Sequence, residues 1–184
     1  MWVGIDLAAF PTRPSAVAVG SSWTDLLVQT QYGDAEIQAL LHTVEKAWVD
    51  APLTQGNGPF RDCDRQLHGL GISLLPITWS SMQKLYRRAV GMKSTLPHVC
   101  FYETFPWTLY RWLLQKQSPP LPKRFRKEDG ILLLEKWGKE QGLRAQPASV
   151  HEWDAIACWV IGWLYEKGEA HAIEGQEGCL WIPA

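Results

Sequence analysis

Five short apolar runs constrain this chain more than any other feature: three follow one another directly, and the last two each carry an acid just ahead of a proline. Val3 to Ala8, Pro14 to Gly20 and Leu26 to Tyr32 are bounded by Pro, Gly or Ser, which predicts three consecutive strands in a meander. Asp34 then offers a helix N-cap, and Ile37, Leu40, Leu41, Val44 and Ala47 recur at helical spacing. That helix leads straight into Trp48-Val49-Asp50-Ala51-Pro52-Leu53, a fourth strand that stops at proline because proline ends ladder pairing. Val99 to Pro106 repeats the pattern with Glu103 and gives a fifth strand. A meander, a crossover helix and two further strands make an α/β fold, a mixed five-stranded sheet with helices packed on it.

Gln55 to Phe60 reads as a Gly/Pro-rich loop, and Arg61 to His68 and Ser80 to Lys93 read as charged helices. Together, residues 55–97 form a helical insertion over one face. A Trp-rich helix follows from Trp107 to Gln115, Ser118 to Pro122 breaks the chain, and Arg126 to Gly142 is amphipathic. The last long helix runs from Ser149 to Lys167 with Val150, Trp153, Ala157, Val160 and Leu164 at helical spacing, and it contains Asp154. Gly175 to Pro183 closes the chain as a loop and short strand. No internal repeat interrupts this order, so residues 1–184 are expected to form one domain.

Eighteen Lys plus Arg against nineteen Asp plus Glu exclude a global positive field, so any nucleic-acid contact must be local. Met1 to Asp6 lacks the basic and long apolar stretches of a signal peptide, and no apolar run approaches a membrane span; the expectation is a cytoplasmic protein with no membrane partner. Cys63, Cys100, Cys158 and Cys179 are scattered without a C-x-x-C pair and read as small core residues. Trp107, Trp112, Trp153, Trp159 and Trp163 fall in helical segments, where an aromatic core explains them better than base stacking does.

Asp6, Asp50 and Glu103 lie on strands one, four and five. If those strands are neighbours, the three acids converge at one sheet edge, with Asp154 brought in from the final helix. Crowded carboxylates repel, and burial raises their pKa values unless a cation compensates, so such a cluster implies bound metal. Oxygen ligands favour Mg2+ or Mn2+, and such ions activate water for phosphodiester hydrolysis without a nucleophilic Ser or Cys. His151, three residues before Asp154, shares its helix face and can assist proton transfer or touch the scissile phosphate. Arg61, Asp64, Arg65 and His68 form a polar patch after the Asp50 strand; Arg61 and Arg65 are candidates to clamp phosphate, with helix-surface ion pairing as the alternative. Lys123-Arg124-Phe125-Arg126-Lys127 and the set Lys84, Arg87, Arg88 and Lys93 are the concentrated positive stretches, suited either to a nucleic-acid backbone or to a solvated face.

Six ordered motifs carry a resemblance: Gly4-Ile5-Asp6, Val49 to Leu53, Arg61 to Arg65, Tyr102-Glu103-Thr104-Phe105-Pro106, His151 to Ala157, and Glu177-Gly178 ahead of Trp181-Ile182-Pro183. They resemble the predicted nucleases of domain-of-unknown-function family 429, which are assigned a ribonuclease-H-like fold. The resemblance implies that Asp6, Asp50, Glu103 and Asp154 correspond to the acidic positions of a ribonuclease-H-like site. Leu7 stands where that family commonly has glycine, and His68 where it often has another basic residue.

Three functional readings follow. The first is a metal-dependent nuclease or phosphodiesterase acting on nucleic acid or a nucleotide phosphodiester. The second is a nucleotide- or nucleic-acid-binding module of the same fold without turnover. The third is an actin-like or sugar-kinase-like phosphotransferase, which the short chain and the missing Gly-rich phosphate loop count against.

Overall fold

A computed structural model describes residues 1–31, 33–117 and 125–184; Tyr32, the Ser118 to Pro122 break and the basic pair Lys123 and Arg124 lie outside them. The chain is α/β, built on a five-stranded mixed sheet flanked by helices. Strands β1 (Trp2–Asp6), β2 (Ser15–Gly20) and β3 (Leu27–Gln31) form the expected antiparallel meander, while β4 (Lys46–Asp50) and β5 (Cys100–Glu103) add in parallel beyond β1. The order is β3-β2-β1-β4-β5, so strands one, four and five are neighbours.

Pleating decides which side chains each sheet face receives. Val3 and Ile5 of β1, and Ala47 and Val49 of β4, join one core with helices α1 (Asp34–Leu41) and α3 (Ser80–Thr95). Trp48 and the other parity of the strands face a second core with α4 (Pro106–Gln117), α5 (Lys127–Glu140) and α6 (Val150–Glu166). Helix α6 lies between the sheet and its fellow helices and is buried all round from Asp154 to Gly162, which is why its sequence is apolar on every side. Trp159 is fully buried in it, stacking on Trp2 at 5.6 Å and meeting Trp23 edge-on at 5.2 Å, so the tryptophan expectation holds there. No helix among the described residues is long and apolar enough to cross a membrane.

Several elements differ from the sequence expectation. Helix α1 ends at Leu41, and the apolar spacing that continued through Val44 and Ala47 belongs to a turn and to β4. The spacing survived because Val44 and Ala47 enter the same core as Ile37 and Leu41. Gly33, not Asp34, is the cap residue, and Asp34 instead accepts a hydrogen bond from Arg88 Nε at 2.7 Å. The chain closes with a hairpin, β6 (Ala170–Gly175) and β7 (Gly178–Pro183), rather than with a loop and one strand. Ile173, Leu180 and Ile182 of the hairpin bury against Cys63 and Leu67 of α2 (Asp62–Gly69), forming a third small core. Thr104 bridges to Trp181 and ties this hairpin to the end of β5. Of the cysteines, Cys63 and Cys158 are buried as expected, whereas Cys100 and Cys179 are exposed.

Of residues 55–97, α3 covers one face of the sheet, while α2 packs on the closing hairpin instead. Ala89, Met92 and Leu96 of α3 complete the core over β1 and β4. Arg88, predicted as part of a positive surface stretch, is buried: its Nη1 donates to the Ala8 carbonyl at 2.6 Å and to Ser15 Oγ at 3.2 Å, fastening α3 to the loop after β1.

Candidate active site

Asp6 and Asp50 face each other across the parallel β1–β4 ladder and share its parity with Gly4 and Trp48, the face that α6 covers. Helix α6 reaches the sheet because residue 4 is glycine: a Cβ there would stand 2.2 Å from the Ala155 carbonyl oxygen and from the Trp159 nitrogen. Ser149 starts the helix by accepting a hydrogen bond from the Glu152 N–H at 3.2 Å. The first turns then deliver His151 and Asp154 over the end of β1. His151 Nδ1 lies 2.6 Å from Asp6 Oδ2, and one ligand atom each from Asp6, His151 and Asp154 fall within 4.8 Å of one another.

Asp154 is buried and held from two sides. Tyr110 of α4 donates its hydroxyl to Oδ1 at 2.8 Å, and the Lys127 ammonium at the start of α5 pairs with Oδ2. Burial and the charge of Asp154 raise the Asp6 carboxyl above its usual range, against the opposing pull of His151 and Lys127. Burial and the charges of Asp6 and Asp154 raise Asp50 well above it. These are carboxylates short of positive charge.

Tyr110 had not been picked out from the sequence, and Lys127 had been read only as the end of the basic stretch that begins at Lys123, not as the partner of Asp154. The available signal was Gly130, because an isolated glycine inside a helix marks close packing. A Cβ at residue 130 would sit 2.4 Å from Tyr110 Cβ, so this glycine lets α5 lie against α4 with Lys127 one turn away.

Glu103 lines the same cleft as Asp6 and Asp50 and its charge adds to the raising of Asp50, but it stands outside the group of ligand atoms formed by Asp6, His151 and Asp154, which corrects its expected role as a metal ligand. It pairs with Val49 rather than Asp50, and along β5 it shares parity with Phe101, so its side chain leaves the sheet on the opposite face. There Arg61 holds it through both carboxylate oxygens, Nη1 to Oε2 at 2.8 Å and Nη2 to Oε1 at 2.5 Å, and the Leu53 N–H donates to Oε2 at 2.8 Å.

Arg61 is likewise not a phosphate clamp. Its Nε and Nη2 also donate to Asp64 and its Nη1 to Thr54, so all five of its N–H groups are taken and the side chain is buried. Asp64 closes the arrangement by accepting the Arg61 backbone N–H at 2.9 Å, capping α2. Arg65 turns away to pair with Asp62 and approaches Glu177 at 3.7 Å. His68 Nε2 accepts the Leu74 N–H at 3.2 Å.

Asp6 and Asp50 open onto a cleft of about 440 Å³. Asp6, Asp50, Arg61, Asp64 and Glu103 form its polar part, and Leu74, Leu75, Ile77, Met82, Leu85 and Trp107 are prominent in its apolar walls. Comparison with family models, curated proteins and solved structures gives no match to this chain.

Proposed function

We propose that this chain is a divalent-metal-dependent phosphodiesterase or nuclease of the ribonuclease-H-like kind. The observation that carries the reading is the pairing of Asp6 with Asp50 on adjacent parallel strands, with Asp154 and His151 lowered onto them by α6. Strands one and four stand side by side, which is the adjacency that brings Asp6 and Asp50 together. The six motifs that resemble family 429 support the same reading.

The donor set fits a small divalent cation. Asp6, His151 and Asp154 would hold it, with Asp50 beside Asp6, and a cation would relieve the repulsion that raises both strand carboxyls. Two oxygen donors with one imidazole nitrogen suit Mn2+ better than Mg2+. When bound, such an ion supplies Lewis acidity and a more acidic water. The protein's own residues do the rest: Tyr110 and Lys127 fix the Asp154 carboxylate, and His151, 68% exposed, sets its Nδ1 on the solvent side of Asp6.

Lys127 also favours a second reading, because an ammonium already paired with Asp154 compensates part of the negative charge. A chain that relies on that lysine alone would be a binding module of the same fold. The test is to incubate wild type and an Asp6→Asn, Asp154→Asn double variant with DNA, RNA and small phosphodiesters in Mn2+, Mg2+ or EDTA. Metal-dependent cleavage by wild type that the folded double variant lacks is the expected result; binding without product selects the module.

A further inference from the structure

The cleft has the wrong charge for a polynucleotide and the right walls for something smaller. Its charged lining groups are four carboxylates and one guanidinium, and every N–H of that guanidinium is already given to Asp64, Glu103 or Thr54. Lys127, whose charge reaches Asp6 and Asp50, is paired with Asp154. Nucleic-acid strands are held chiefly through several phosphate contacts from free cationic groups. Among the described residues lining the cleft there is no such group.

The rest of the lining is apolar and comes from three elements. Leu74, Leu75 and Ile77 follow α2, Met82 and Leu85 project from α3, and Trp107 begins α4. Leu75 is 53% exposed, an apolar wall left open to solvent at the cleft. A volume of about 440 Å³ lies in the range of sites that enclose one small molecule. Arg88 fixes α3 to the loop after Asp6, so the apolar wall stands at a set distance from the acids.

We infer that the substrate is a small phosphodiester bearing one compact aromatic or apolar group, which packs between Leu75, Met82 and Trp107 while its phosphate occupies the acidic end of the cleft, where the divalent cation that Asp6 and its neighbours would hold would offset the repulsion from the carboxylates, and that these three apolar residues determine specificity. The inference rests on the metal-hydrolase reading for its chemistry and on the cleft walls for its selectivity. Attack of water on phosphorus would break one P–O ester bond, leaving a phosphomonoester and an alcohol or phenol that takes up the proton.

The test compares bis(4-nitrophenyl) phosphate with labelled single-stranded DNA and RNA oligonucleotides, using wild type, Leu75→Asp, Met82→Asp and, as a distant control, Leu27→Asp on the exposed edge of β3, each checked for folding by circular dichroism. Both cleft variants are expected to raise KM for the aryl diester about tenfold or more with kcat nearly unchanged, the size of effect that a lost apolar pocket contact produces. The control should behave as wild type, and the oligonucleotides should be poorer substrates. Preferred cleavage of oligonucleotides with steep salt dependence overturns the inference, as does an unchanged KM in both cleft variants. If nothing is hydrolysed, calorimetry with a non-hydrolysable aryl phosphonate ester in Mn2+ separates the two ideas. Binding that Leu75→Asp weakens keeps the pocket assignment while the hydrolase reading falls, and no binding overturns the pocket assignment too.

Discussion

At the scale of single residues, the site divides into carboxylates lacking positive charge and carboxylates already saturated with it. Asp50 belongs to the first group: burial, Asp6 and Asp154 raise its carboxyl well above the ordinary 3.8. Between that ordinary value and the raised one the folded chain keeps a proton that the unfolded chain releases. Stability therefore falls as pH rises through this window and stays lost above it. Asp50→Asn removes the ionisation, so in metal-free buffer at pH 7 the variant should melt above wild type by roughly 2–4 °C, the shift that about 1 kcal/mol produces in a chain of this size, with the gap closing below about pH 4. A calorimetric pH series checks it, and a variant that melts lower at pH 7 refutes it. Arg61 belongs to the second group. Arg61→Ala would leave Asp64 and Glu103 buried without their shared partner, at a cost of roughly 3–5 kcal/mol in urea unfolding, a loss of stability rather than of phosphate binding. Asp6 and Asp50 were legible in the sequence because each ends an apolar strand. Glu103 shared that pattern but not the pleat parity, and parity depends on a register of Val49 with Glu103 that spacing along the chain does not reveal.

Among elements, the contact that makes the site is α6 on β1, and it depends on Gly4. Gly4→Ala would drive a methyl into the backbone of Ala155 and Trp159, lifting the helix that carries His151 and Asp154 away from Asp6. The expected cost is roughly 3 kcal/mol, at the upper end for overpacking. The His151–Asp6 contact should loosen as well, read as moved imidazole signals in the NMR spectrum at fixed pH beside a lowered urea midpoint; a variant with wild-type midpoint and His151 signals refutes the account. The meander, both parallel strands and α6 were visible in the sequence because each has a single period bounded by turn residues or a cap. The end of α1 was not, since Val44 and Ala47 keep helical spacing while serving a turn and a strand in the same core. The last strand, β7, was also visible, but its partner β6 was not, because the hairpin's apolar residues are few and find their partners in α2, more than a hundred positions earlier.

The whole molecule brings charge from both faces of the sheet to one end, and this sets how it should respond to metal. On the α6 side Asp6, Asp50 and Asp154 have Lys127 and the His151 ring for compensation; on the other side Arg61 already neutralises much of Asp64 and Glu103. A divalent ion should therefore act on the first group and leave the second untouched. Because only the folded chain gathers these ligands, Mn2+ at about a hundred times its dissociation constant should stabilise the protein by about 2.7 kcal/mol. Mg2+ should do less at equal concentration, since one of the three grouped donors is an imidazole nitrogen. Thermal melts with Mn2+, Mg2+ and EDTA measure this directly in wild type, and the Asp6→Asn, Asp154→Asn double variant should lose the Mn2+ shift while a substitution at exposed Arg65 keeps it. Equal shifts in wild type and double variant would place the metal elsewhere and leave Lys127 as the cation that this cluster was built around.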